Sequence, residues 1–165
     1  MPFDPVFGIS ILGSFAAFGV LARLYVWPWL HGRSREEALG ILILPHMFRF
    51  AGLSFLETGV VSASLPSTFA THAAYGDFVA ATLAVAAVLA LSTRASFAMA
   101  LVWSFNIWGS FDLIFAFYTA MTNGLVPGDL GAAYYIPTVI VPLLLISHGL
   151  MFALLFSAET RVAPQ

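Results

Sequence analysis

The fold is decided by residues 39–62, LGILILPHMFRFAGLSFLETGVVS, a stretch long and apolar enough to span a bilayer that nevertheless holds His46, Arg49 and Glu57. Each ionisable group is costly to expose to hydrocarbon, so a span that keeps three of them must turn them toward protein or water. The rest of the chain is therefore read as the shelter for this segment.

Composition agrees with that reading. The 165 residues are 61% hydrophobic and only 8% charged, with a mean hydropathy of +0.95, far outside the range of a soluble domain of this size. The expected fold class is an all-α polytopic membrane helix bundle. There is no Lys, and the six Arg are scattered rather than gathered on one face, which argues against nucleic acid as a partner. The absence of Cys excludes disulfides, thiolate metal sites and thiol redox chemistry. Residues 1–5 lack the basic start of a signal peptide, so the first apolar run is expected to be retained as a span.

Five spans are predicted, at about 7–30, 38–63, 75–91, 95–120 and 132–157, forming one integral-membrane bundle over residues 1–165. Trp27-Pro28-Trp29 closes the first at an interface. Ala80, Ala81, Ala84, Ala87 and Ala90 give the third a surface for close packing. Asn123-Gly124 and Pro127-Gly128 mark the turn before the fifth, which contains Pro137 and Pro142. With five spans, Arg23, Arg33, Arg35, Arg94 and Arg161 all fall on one side and the opposite connections carry none. The positive-inside rule then puts the N-terminus outside and the C-terminus in the cytoplasm, as in a multi-pass protein of a bacterial inner (plasma) membrane. Five short helices enclose little volume, so a homo-oligomer is expected if a large cavity or pore is needed.

At 100° per residue, His46, Arg49, Leu53 and Glu57 occupy an arc of roughly 80° on one helix face. At 1.5 Å per residue, His46 lies ~12 Å, Arg49 ~16 Å and Glu57 ~28 Å from the cytoplasmic end, with Asn106 at ~18 Å, His148 at ~15 Å and Asp112 at ~27 Å. Two layers follow: an inner one of His46, Arg49, Asn106 and His148, and an outer one of Glu57, Asp112 and Tyr134, with Asp77 either a member or a helix cap. Glu57 and Asp112 at one depth suit proton exchange, with one acid protonated and the other ionised. Trp108 and its aromatic neighbours on the fourth span are candidates for lining a pocket.

Three functions compete. The favoured one is an acid-base enzyme acting on a lipophilic small molecule by isomerisation, cyclisation or epoxide opening. Glu57, Asp112 and His46 would be catalytic, and Arg49, Asn106, Trp108, Tyr134 and His148 would bind substrate. Such an enzyme needs no soluble domain, because its substrate arrives through the bilayer, among the membrane lipids; the cofactor is left open between none and the haem b of the second reading. The second is a haem b or quinone electron-transfer subunit with His46 and His148 as axial ligands. The third is a proton-coupled transporter or channel, or a structural membrane subunit whose polar residues only join helices. No Walker loop, HExxH or Gly-rich nucleotide fingerprint is present.

Overall fold

The structure is a computed structural model and describes residues 4–157; the first three residues and the tail that carries Arg161 lie outside the described residues. The described chain is helical with no strand. Five helices are long and apolar enough to cross a membrane: α1 Pro5–Leu30, α2 Arg35–Leu56, α3 Ser67–Ser92, α4 Ala98–Thr122 and α5 Ile136–Phe156.

Local chemistry explains the helix ends. The Asp4 side chain accepts hydrogen bonds from the Val6 and Phe7 amides, and Pro5 takes the first turn, where no N–H is needed. Ser34 caps α2 by accepting from the Glu37 amide, with Glu36 and Glu37 in the positive first turn. At the end of α3, Arg94 takes a left-handed φ of 52°. The Ala95 amide donates to Ala90 O and the Arg94 amide to Leu91 O, a Schellman closure made without glycine. α1 and α5 each contain a π-helical turn, Ala22–Val26 and Ile136–Ile140. Each holds the residue four before a proline, Leu24 before Pro28 and Thr138 before Pro142, so widening there relieves the clash of the ring with that carbonyl.

α2 departs from the regular helix assumed above. It is α-helical from Arg35 to Ile43 and 3₁₀ from Leu44 to Leu56, far longer than the usual three or four residues of 3₁₀. The switch falls at Pro45, which has no N–H to give Ile41 and so interrupts the α ladder there. At three residues per turn, side chains three apart eclipse, and the buried residues of this segment are His46, Arg49, Gly52 and Phe55. Glu57 lies two residues beyond Phe55, at the exposed C-cap, and so leaves the face that the 100° count gave it. Extension at ~2 Å per residue also lets this 22-residue helix match, at ~39 Å, the height of its 26-residue neighbour α3.

α3 begins at Ser67, eight residues before the predicted start, which places His72, Gly76 and Asp77 inside the helix. Asp77 is therefore not a cap. α2 packs mainly along α3, α3 along α4, and α5 against both α2 and α4. α1 stands at the edge and meets the bundle chiefly through α5; no residue between Pro5 and Leu21 is buried.

The two ends of the bundle differ. At one end, connections 57–66 and 123–135 are stitched together: Ala132 N donates to Val60 O at 2.9 Å, Ser62 N to Asp129 O at 2.9 Å, and Ser64 Oγ to Asp129 Oδ1 at 2.5 Å. Gly131, at φ 52° and ψ −129°, sits against the Val60 carbonyl, where no side chain fits. The other end holds Arg33, Arg35 and Arg94, and Arg35 Nη2 donates to Leu155 O at 2.7 Å, fastening α2 to the last turn of α5.

Candidate functional site

Arg49 is the centre of the buried polar cluster. Its Nε donates to Asp77 Oδ1 at 2.7 Å, its Nη2 to Asp112 Oδ2 at 2.5 Å and its Nη1 to Gly109 O at 3.2 Å, so one guanidinium ties α2 to α3 and α4. The Arg49 side chain is 1% exposed, those of Asp77 and Asp112 10% and 9%. The planar fork of arginine suits this bridging, which an ammonium could not reproduce. With both acids ionised the trio carries one net negative charge, and charge neutrality needs one proton shared by the pair.

Three glycines make the room. A Cβ on Gly52 would strike the Asp77 carboxylate, and one on Gly76 the Asp112 carboxylate. A Cβ on Gly109 would stand 2.7 Å from His148 Cε1 and Nε2 and 3.0 Å from Arg49 Nη1. Glycine inside a helix costs about 1 kcal/mol relative to alanine, and here each such position admits a polar side chain from the neighbouring helix. Gly76 therefore marks the site and not the start of a helix.

Behind the guanidinium lies the inner layer. His148 Nδ1 donates to Asn106 Oδ1 at 2.6 Å, which leaves the lone pair on Nε2. The His46 and His148 rings are 4.3 Å apart, and Phe105 packs on both at 5.1 and 5.3 Å. His46 Nδ1 and Nε2, His148 Nε2 and Asn106 Nδ2 have no hydrogen-bond partner within the described protein. Ser147 Oγ donates to Leu42 O at 2.8 Å and locks α5 to α2 beside this layer.

On the other side of Arg49, Asp77 and Asp112 line a cavity of about 430 Å³. All five helices contribute to its walls, among them Phe7, Phe55, Phe69, Phe117 and Val141, and Leu130 comes from the connection before α5. Among the described residues, its charged or hydrogen-bonding side chains are those of Asp4, Asp77 and Asp112. Asp77 and Asp112 each lie about ten residues, or ~15 Å, from the nearer helix end, so the carboxylates form the deep floor and Asp4 and Pro127 the rim.

The candidate residues thus divide. Arg49 and Asp112 meet directly, as do Asn106 and His148, and His46 lies against His148. Glu57 is exposed and apart from Asp112; Asp77, read as a cap or an outer-layer member, is the acid actually paired with it across Arg49. Trp108 is 40% exposed, its Nε1 donating to Gly76 O at 3.5 Å, and does not line the cavity. Tyr134 packs edge-on against Phe7, with its hydroxyl 3.2 Å from Ser10 Oγ, near the rim. Of the α4 aromatics, Phe117 alone lines the cavity.

The histidine pair does not fit axial ligation of a haem. Two imidazoles on opposite faces of a porphyrin, each bound at ~2 Å, would need ring centroids well beyond the observed 4.3 Å, and Phe105 closes the space beside them. Among the described residues no group of three or more His, Asp or Glu is arranged to hold a metal ion.

Comparison with known proteins adds a family but no activity. No curated protein and no solved structure matches the chain. A family model described as a domain of unknown function, DUF8737, matches residues 6–156, and the chain belongs to that family.

Proposed function

We propose that the chain is an integral membrane protein whose cavity takes up a lipophilic small molecule and exchanges a proton with it at Asp77 and Asp112, the chemistry of a double-bond isomerase. One observation carries the reading: an apolar cavity of about 430 Å³ ends on two carboxylates held by a single buried guanidinium. Such a volume lies within the range of small-molecule sites, and few polar groups in an apolar pocket are the usual means of orienting a ligand. Asp77 takes the place that Glu57 held in the carboxylate pair.

The step balances within the pair. The carboxyl that holds the shared proton gives it to an alkene carbon, and the other carboxylate removes a proton from the allylic carbon. One C–H bond forms, one breaks and the double bond moves. The proton has then passed from one acid to the other, and a single exchange between them restores the start. Arg49 fixes both carboxylates and stays protonated throughout.

In this reading the arginine-bearing end faces the cytoplasm, with the N-terminus outside, and the cavity rim lies toward the outer side. Because α1 meets the bundle chiefly through α5 and forms one wall of the cavity, the molecule enters sideways from the lipid beside α1.

The test is solvent-isotope exchange on whatever lipophilic molecule copurifies with the protein. Wild-type protein in D₂O is expected to place deuterium on carbon of that molecule. D77N and D112N should each retain the molecule and place none. A molecule that takes up no deuterium, or variants that exchange as fast as wild type, would overturn the proposal.

A further inference from the structure

We infer that the floor of the cavity is a cation site, selective for a lipophilic ammonium over an alcohol or a carboxylate of the same chain length. The inference goes beyond the reading above, since an ammonium takes the place of the shared proton and so competes with an alkene substrate, and it rests on the cavity holding a lipophilic molecule.

Three observations converge. First, among the described residues every charged side chain lining the cavity is an aspartate: Asp77 and Asp112 at the floor and Asp4 at the rim. The compensating charge of Arg49 sits behind the carboxylates, its side chain 1% exposed, and presents no donor to a ligand. Secondly, Arg49 uses only one oxygen of each floor carboxylate. Asp77 Oδ2 and Asp112 Oδ1 accept no hydrogen bond among the described residues, although both side chains are nine-tenths buried. Asp77 Oδ2 packs beside Gly52 and Asp112 Oδ1 beside Gly76, each with lone pairs left for a donor, whereas an anionic head would add a further negative charge to two carboxylates that share one cation. Thirdly, Phe7, Phe55, Phe69 and Phe117 supply aromatic faces and edges in the same cavity, and Phe55 and Phe69 lie edge to face at 5.5 Å. Carboxylates together with aromatic rings form the usual cage for an organic ammonium.

The charge count chooses between the two donor heads. An ammonium supplies the positive charge that the trio lacks when both acids are ionised, so it replaces the shared proton; an alcohol leaves that charge uncompensated. The same feature would favour positive charge developing on an alkene during protonation, so an ammonium is also a mimic of that transition state. At ~30 Å³ per small group the cavity holds on the order of fifteen non-hydrogen atoms, about the size of a twelve-carbon amine.

The experiment titrates dodecylamine, dodecan-1-ol and dodecanoic acid into the protein in phosphatidylcholine nanodiscs and counts bound probe by native mass spectrometry. The expected result is at least tenfold tighter binding of the amine than of the alcohol, with no specific binding of the acid. D77N and D112N should each lose the preference, E36Q at the opposite end should keep it, and A116L, which fills the cavity one turn from Asp112 without altering charge, should lose all three probes. Equal binding of amine and alcohol to the wild type, or an amine preference that survives in A116L, overturns the inference. If the aspartate variants do not fold, the wild-type comparison and A116L decide the matter alone. Failure here leaves the deuterium result untouched: exchange with no cation preference would refute the ligand class only, and cation preference without exchange would refute the isomerase reading only.

Discussion

Gly109→Ala tests the packing of the site against a built-in control. The new Cβ would lie 2.7 Å from two atoms of the His148 ring and 3.0 Å from Arg49 Nη1, inside the ~3.5–4.0 Å of ordinary carbon contact. Neither neighbour can retreat cheaply, since His148 is held to Asn106 at 2.6 Å and Arg49 to two carboxylates. Overpacking of this kind costs about 1–3 kcal/mol, and weakening one charge-assisted bond of Arg49 costs about 1.5–3 kcal/mol more. Against this stands a gain of about 1 kcal/mol in helix propensity. The net expectation is a loss of about 3 kcal/mol. Gly149, next to His148 in sequence, has nothing within 4 Å of its own Cβ position, so Gly149→Ala should keep only the gain. Reversible unfolding in mixed micelles, followed by helical circular dichroism, should separate the two variants by about 4 kcal/mol with opposite signs. Two variants of equal stability would refute the packing described around Gly109.

Two further outcomes are expected. R49M leaves two buried carboxylates without their partner and should lower stability by about 3–5 kcal/mol in the same unfolding assay, while adding D77N and D112N to it should recover much of the loss by removing the unpaired charge. For orientation, the cysteine-free chain allows single thiols to be placed at exposed positions: in intact cells an impermeant maleimide should label S64C, and it should label T93C only after lysis. The reverse pattern would invert the proposed topology.

Much of the fold was legible because hydrophobic length is a strong signal: five apolar runs were found where five long helices lie. The identities of Arg49, Asp112, Asn106 and His148 were legible because polar groups in such runs are conspicuous. Their partnerships were not, and the reasons are local. At Pro45 the period of α2 changes from 3.6 to 3.0, which carries Glu57 off the face shared by His46 and Arg49. A three-residue count from His46 through Arg49, Gly52 and Phe55 would have found the true face. Gly76 resembles a helix boundary in sequence, yet it lies within α3, where the Asp112 carboxylate packs against it; this hid Asp77 as a cap. The aromatic run of α4 suggested a pocket, but Phe111, Trp108 and Tyr118 point outward, and the aromatic walls come largely from Phe7, Phe55 and Phe69 on other helices. Depth along a helix can be counted from sequence, whereas the facing of one helix to another depends on packing that no single segment encodes.

The most direct test of the central claim, that a cavity floored by Asp77 and Asp112 holds a lipophilic small molecule, is native mass spectrometry of the protein released from its own membrane, wild type beside A116L. The expected result is a bound small molecule at near one per chain in wild type and its absence in an equally well-folded A116L. An equal load on both proteins, or none on either, would contradict it.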